Sequence, residues 1–452
     1  MNLTDQLVSA VLARDAATVR GCLEQGADPD TPGPDGLPLL CTAVAGFDGS
    51  TADTLVDGGA NQDRELPDGS TPLLRAVDTG SYMLVNAMLG EAPRLRIAEV
   101  RRQQLLDLAR HWFEVGVVEE LRHRTGDTGP GVTRQIDVPP AGDTLDEVTL
   151  GGLTVRAGHG AILTQLEWHF GIMPPAAEVM ARAIPHAENE DDNWFAAAHY
   201  LGQRQGPRIW SELTALRQDP DPVHRRFLAS VLRQRNFLAS VDRTTDNAGD
   251  VDFLASWAKE EPDGQVLAAI LDVYSGWKHP EEVAIGLRYA DHPDPRVRSE
   301  AVFCMSRERT ARSEAATSAL LGIVADPEAE VRASVAQVFN PRFTPDNQLA
   351  PEIRDALLVL LRDDDIGVRR HAAQSLSVCD DRMPPTMDAL VALLDEDDKE
   401  LRMEAAFALA CRDDPRTEWA YERVGPLDGF SEHDHRLFGL FRYRARHQQD
   451  RG

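Results

Sequence analysis

Arg156 and His159 are the first residues in this chain that could do chemistry. They sit in the stretch VRAGHGAILTQLEWHF, just ahead of a helix-forming run. A guanidinium and an imidazole beside the free amides of a helix start can hold an anion. Glu167 and His169 follow, but two residues apart they fall on different helix faces. The sequence pairs no nucleophile with a base, and it carries neither a phosphate-loop glycine pattern nor an HExxH. Three acidic runs, at 188–192, 363–365 and 395–398, could be read as metal ligands. An aspartate ahead of a helix also caps its first amides and complements its dipole, and this second use is the expected one. No catalytic residue, cofactor or metal is therefore expected. Arg156 and His159 are kept as a candidate site at what is otherwise a structural joint.

The elements around that joint repeat. Gly26-Ala27-Asp28 returns as Gly59-Ala60-Asn61, and Asp35-Gly36 as Asp68-Gly69, both after 33 residues. Ala10, Ala43 and Ala76 keep the same step, as do Leu7, Leu40 and Leu73, and Val19, Ala52 and Val85. A fixed step over many columns marks a stacked repeat. Asp-Gly suits a tight turn, Thr71-Pro72 a helix start, and Gly26 and Gly59 helix ends. DGSTPLLRAVDTG at 68–80 and LEQGADPD at 23–30 resemble the ankyrin repeat. Leu74 stands where that family usually has His, and residues 45–50 are irregular. The resemblance implies about three protein-binding units over 1–92 and no catalytic residue.

A second pattern fills the C-terminal half: an acidic turn, Val-Arg or a close variant, then a helix of small residues. DHPDPRVRSEAVFCM, ADPEAEVRASVAQVF, RDDDIGVRRHAAQSL and DEDDKELRMEAAFAL align on Arg298, Arg332, Arg369 and Arg402. Weaker copies around Arg225, Leu267 and Phe195 extend the pattern to about seven helical pairs over 176–424. These units resemble HEAT repeats of the phycobilisome-lyase-like type. The resemblance implies that the turn Asp pairs with the Arg of an adjacent unit, which makes the arginine column structural.

Residues 93–175 form the junction. The run 94–124 predicts a helical cap with Leu105, Leu106, Ala109, Trp112 and Phe113 on one stripe. TGDTGPGVTRQ predicts a loop or hinge. VTLGGLTV predicts a hairpin turning at Gly151-Gly152, with Leu150 opposite Leu153, Thr149 opposite Thr154 and Val148 opposite Val155. Its four apolar residues would then share one face and need helices to pack on. Gly158-His159-Gly160 is expected to break the chain before the next helix. From 435 to 452 the sign of the charge reverses, with Arg436, Arg442, Arg444, Arg446 and Arg451 against only Asp450, and His433 and His435 form a lone HxH. Leu437, Leu440, Phe441 and Arg444 are expected to line one face of a final helix. The basic segment is either an array cap or a recruitment tail.

The expected fold is an all-α double solenoid, ankyrin then HEAT, with a small β-hairpin insert at the junction. A formal charge of −27 repels phosphate backbones and anionic lipid and favours basic partners. Five scattered cysteines without a CxxC fit a reducing cytoplasm. No signal peptide or membrane span is expected. The expected role is a non-enzymatic scaffold or adaptor for proteins with basic surfaces. The resemblances also imply two alternatives. One is a bacterial immunity-type neutraliser of a basic toxin or nuclease. The other is a HEAT-like enzyme, a lyase or DNA glycosylase, which the net charge disfavours.

Overall fold

The computed structural model describes residues 2–90, 92–138, 143–241, 248–306, 313–340, 349–427, 430 and 434–449. His433, Asp450 and Arg451 lie outside them. The fold is an all-α repeat solenoid with one small antiparallel sheet. It divides into two compact units, residues 1–238 and 239–452.

The first unit opens with three antiparallel helix pairs: α1 (Leu3–Leu12) with α2 (Ala16–Glu24), α3 (Leu39–Ala45) with α4 (Gly49–Asp57), and α5 (Pro72–Asp78) with α6 (Tyr82–Leu89). Side-chain oxygens of Asn2, Asp15, Asp48 and Thr71 accept from amides of the first turns of α1, α2, α4 and α5. The 33-residue columns become the core: Leu7, Leu40 and Leu73 are fully buried, as are Val19, Ala52 and Val85. Each such leucine contributes about 2 kcal/mol of burial. Adjacent turns are tied where the Asn61 amide donates to Asp30.

Next come α7 (Pro93–Arg96), α8 (Glu99–Val115) and α9 (Val117–Thr125), then strands β1 (Val132–Val138), β2 (Asp143–Leu150) and β3 (Leu153–Arg156). The sheet order is β1-β2-β3. The β2–β3 register pairs Leu150 with Leu153, Thr149 with Thr154 and Val148 with Val155, and both turn glycines have positive φ. Val148, Leu150 and Val155 pack with Trp112 and Leu121 in a core of their own. Three expectations need correction. Leu153 is 45% exposed: it lies beside the turn on the edge strand, and the helical cover stops short of it. Residues 132–135 are not hinge but the start of β1, paired along β2. Phe113 leaves the buried stripe of α8 and is exposed, while Leu105, Leu106, Ala109 and Trp112 keep to it.

Then α10 (His159–Phe170) begins at His159, so Gly158-His159-Gly160 does not break the chain but starts the helix. Gly158 is the N-cap residue, and its carbonyl accepts from the Ile162 amide. Gly160 is required by closeness: a Cβ there would stand 2.8 Å from Asn193 Oδ1. The pairs α11 (Ala176–Ala183) with α12 (Asp192–Gln203) and α13 (Pro207–Ala215) with α14 (Pro222–Val241) follow, the unit boundary falling within α14.

The second unit stacks α15 (Ala248–Ala258) with α16 (Gly264–Ser275), α17 (Glu282–Tyr289) with α18 (Pro295–Ser306), α19 (Glu314–Ile323) with α20 (Ala329–Val338), α21 (Pro351–Leu360) with α22 (Ile366–Ser377), and α23 (Pro384–Ala392) with α24 (Lys399–Cys411). It ends in α25 (Thr417–Val424) and α26 (His435–Gln449). Small residues such as Ala301, Ala336, Ala372 and Ala405 let α18, α20, α22 and α24 approach closely. Ser299 and Ser334 meet 2.7 Å apart, and Ser375 donates to the Ala336 carbonyl, so these buried hydroxyls are satisfied across repeats. The buried seam of α26 is Leu437, Leu440 and Tyr443. Phe441, expected on that seam, is 48% exposed, because a stripe advancing three residues at a time reaches Tyr443 instead.

Candidate functional site

At the junction, backbone pairing places both candidate residues. The Arg156 amide donates to the Thr79 carbonyl, and the Gly158 amide to that of Gly80. The chain leaving β3 thereby runs along the loop between α5 and α6. Gly80 has φ +67°, and a Cβ on it would lie 1.9 Å from the Arg156 carbonyl oxygen. The contact holds only with glycine at that position.

His159 is 2% exposed and stacks on Trp112, ring centroids 4.7 Å apart and 7° from parallel. Neither ring nitrogen makes a well-formed hydrogen bond among the described residues, although the backbone of Val77 and Asp78 faces the ring. Burial pushes its pKa down to about 4, against the pull of the Asp78 carboxylate and of the Val77 and Asp78 backbone. Trp112 is itself fixed: its Nε1 donates to Asp78 at 2.9 Å, and the Arg124 guanidinium lies 4.4 Å from the ring centroid. Arg156 lies over the Phe47 ring at 4.5 Å and donates to Ser81 Oγ at 3.2 Å. Burial lowers its pKa. The imidazole is thus spent in a ring stack and the guanidinium in a cation–π contact.

Glu167 and His169 are not drawn into that arrangement. Glu167 is buried and takes two bonds from Arg182, at 2.6 and 3.2 Å. His169 meets the Tyr200 ring edge-on.

The arginine column has a uniform geometry. Nη1 of Arg298 donates to the carbonyls of His292 and Pro293, closing its own turn, while Nε and Nη2 hold Asp326 of the following repeat at 2.7 and 2.8 Å. Arg332 repeats this with the Asp326 and Pro327 carbonyls and with Asp363. The Asp363 carboxyl is held below its usual pKa by Arg332, whose own pKa rises in return. Arg369 keeps the turn contacts to Asp363 and Asp364 but, among the described residues, meets only the carboxylate of Glu396, at 3.8 Å. Arg402 bonds the carbonyls of Glu396 and Asp397. The acidic runs act as caps: Asp191, Asp365 and Asp398 accept from amides of the following helices. Among the described residues no group of three or more His, Cys, Asp or Glu could hold a metal ion.

The basic segment separates into internal and external arginines. Arg436 binds Asp434, Glu400 and the buried Glu404. Arg444 lies 3.5 Å from the centroid of Tyr421. Arg446 is 3.7 Å from Asp413, and Arg442 is exposed.

Sequence reasoning missed two buried arginines. Arg182 anchors Glu167. Arg412, 1% exposed, donates to the carbonyls of Asp381, Ala408 and Leu376. Arg412 had one available signal, its place just after an alanine-rich helix whose last carbonyls need donors.

Comparison with known proteins bears on the second unit. Residues 251–340 and 346–410 match the HEAT repeat family. No curated protein matches the chain. Among solved structures, the chain resembles YibA of Escherichia coli at 17% identity, over 59% of this chain and 92% of that one, with a TM-score of 0.43. An engineered protein matches at 15% identity over 98% of both chains, with a TM-score of 0.36. The C-terminal half of this chain therefore carries HEAT repeats.

Proposed function

We propose that this chain is a non-enzymatic scaffold that binds partner proteins along its repeat surfaces. The observation that carries the reading is the HEAT array of the second unit. Repeats stacked in a line present an extended face of the kind that binds proteins. Their conspicuous charged residues, the arginine column and the turn aspartates, are engaged in holding the stack. The first three helix pairs support an ankyrin-type reading. Their 33-residue columns are buried, Pro72 starts α5 behind a Thr71 cap, and Gly36 and Gly69 take positive φ in the Asp-Gly turns. The net charge of −27 favours partners with basic surfaces over nucleic acid. Five free cysteines fit a cytoplasmic site of action, and no described helix is long and apolar enough to cross a membrane.

The test is capture from native lysate with the full chain immobilised, washed at low and at moderate salt. Basic proteins should be retained at low salt and weakened as ionic strength rises, since exposed charges are screened within about 10 Å at 0.1 M. Retention of no protein at either salt would overturn the reading.

A further inference from the structure

The first unit holds a cleft of about 520 Å³ between the C-terminal ends of α10 and α12, the loop 171–175 and α13. That volume suits a large side chain with some flanking backbone. Trp168, Met173, Pro174 and Ile209 give it an apolar wall, and Met173 is 55% exposed. Two arginines, Arg204 and Arg208, share the lining. Arg208 is answered within the wall, its Nε donating to Glu212 at 3.0 Å. Arg204 is not. Its Nη1 donates to the Pro174 carbonyl at 2.6 Å, and its buried Nε has no partner among the described residues. Among the described residues no carboxylate lies within ion-pair distance of it. Glu167 is already taken by Arg182. Burial lowers the Arg204 pKa against the pull of Glu167 and Glu212. An apolar wall with an unanswered guanidinium is complementary to an apolar group that carries a carboxylate beside it.

We propose that this cleft takes a segment of a partner protein in which a large apolar side chain is followed by an acidic residue, the apolar group against Trp168 and Ile209 and the carboxylate on Arg204. This rests on the protein-binding reading above, but not on attraction of a basic partner to the acidic surface. It assigns the first unit a short acidic–apolar motif of its own.

The experiment is fluorescence anisotropy of the full chain with labelled, capped heptapeptides in a Gly/Ser frame, carrying Leu-Glu, Leu-Gln, Leu-Lys or Ser-Glu at the centre. Leu-Glu should bind at least about tenfold tighter than the other three. Arg204→Gln should reduce Leu-Glu to the level of Leu-Gln and leave Leu-Gln unchanged, and Arg204→Lys should restore part of the preference. Thermal melts establish that both variants are folded. Leu-Glu binding no tighter than Leu-Lys, no binding at all, or a preference that survives Arg204→Gln in a folded chain would each overturn the proposal. Partners held from lysate equally by the natural chain and by Arg204→Gln would leave the scaffold reading standing and count against this cleft. A peptide preference without any lysate partner would do the reverse.

Discussion

His159 makes the junction sensitive to acid, and the size of the effect follows from its burial. The folded chain holds this imidazole near a pKa of about 4, against 6.5 when exposed. Between those values the unfolded junction takes up a proton that the folded junction refuses. The stability is therefore complete above about pH 6.5 and is lost as pH falls toward 4. The full gap of about 2.5 pH units corresponds to about 3 kcal/mol. The sequence pI is ≈ 4.8, so solubility limits how low the pH can be taken. At pH 5.5 linkage gives a loss of about 1.3 kcal/mol relative to pH 7.5, close to tenfold in a local opening constant. Hydrogen exchange of peptides covering α5, α8 and α10, corrected for intrinsic rates, reads that constant without requiring two-state unfolding of a two-unit chain. The control is His159→Phe, which keeps a flat ring on Trp112 and cannot take up a proton. The natural chain should open about tenfold more at pH 5.5 than at pH 7.5 in these segments, beyond any change in the variant. Parallel pH responses in the two chains would falsify the claim that a buried neutral histidine sits at this joint.

Three further outcomes are expected. Gly80→Ala should cost at least about 3 kcal/mol, since its Cβ has no room against the Arg156 carbonyl, whereas Gly69→Ala, at φ +79° with open space around it, should cost only about 1 kcal/mol; urea melts compare them. Arg332→Ala should cost about 3 kcal/mol by stranding Asp363, and Arg332→Lys should recover less than half of that because one ammonium cannot copy a two-pronged contact. Arg436→Ala should destabilise the last helices by about 3 kcal/mol through the buried Glu404, while Arg442→Ala should change stability by less than about 0.5 kcal/mol; thermal melts of the two variants separate the internal arginine from the external one.

Much of the fold is legible in the chain because repeats print the same contact many times. One buried column such as Leu7, Leu40 and Leu73 is seen three times over, and the β2–β3 register follows from the symmetry of VTLGGLTV about two glycines. What escaped the sequence occurs once. β1 hides behind a turn-rich segment, although Val132, Ile136 and Val138 fall on the same alternating positions, interrupted only by Arg134. The glycines around His159 look like breakers, and only the tertiary structure shows that Gly160 is small to admit Asn193 and Phe113. The candidate site divides the same way. That Arg156 and His159 lie near one another follows from their spacing, but Phe47 and Trp112, which occupy their side chains, come from far along the chain, and no local pattern carries that pairing. The Arg204 cleft is less legible still, since it assembles from three helix ends whose residues match neither repeat motif.

The arginine column shows why an aligned motif does not assign equal work to its members. Arg298 and Arg332 each close their own turn and clamp the carboxylate of the next, so a single side chain both ends one repeat and fixes its neighbour. Arg369 and Arg402 occupy the same column and keep the turn bonds, yet Nε of each has no partner among the described residues. The cross-repeat bond has moved to other positions. Arg354 holds Asp381, Arg370 holds Asp398, and Arg412 draws together carbonyls of Leu376, Asp381 and Ala408. In a linear array, stability is close to a sum of repeat and nearest-neighbour terms, so the location of each clamp matters more than how many arginines the motif displays. Removing the guanidinium of Arg402 should therefore perturb one turn, while removing that of Arg412 should loosen α22 against α24 and take a buried donor from the Asp381, Ala408 and Leu376 carbonyls, of which Leu376 keeps the Cys379 thiol.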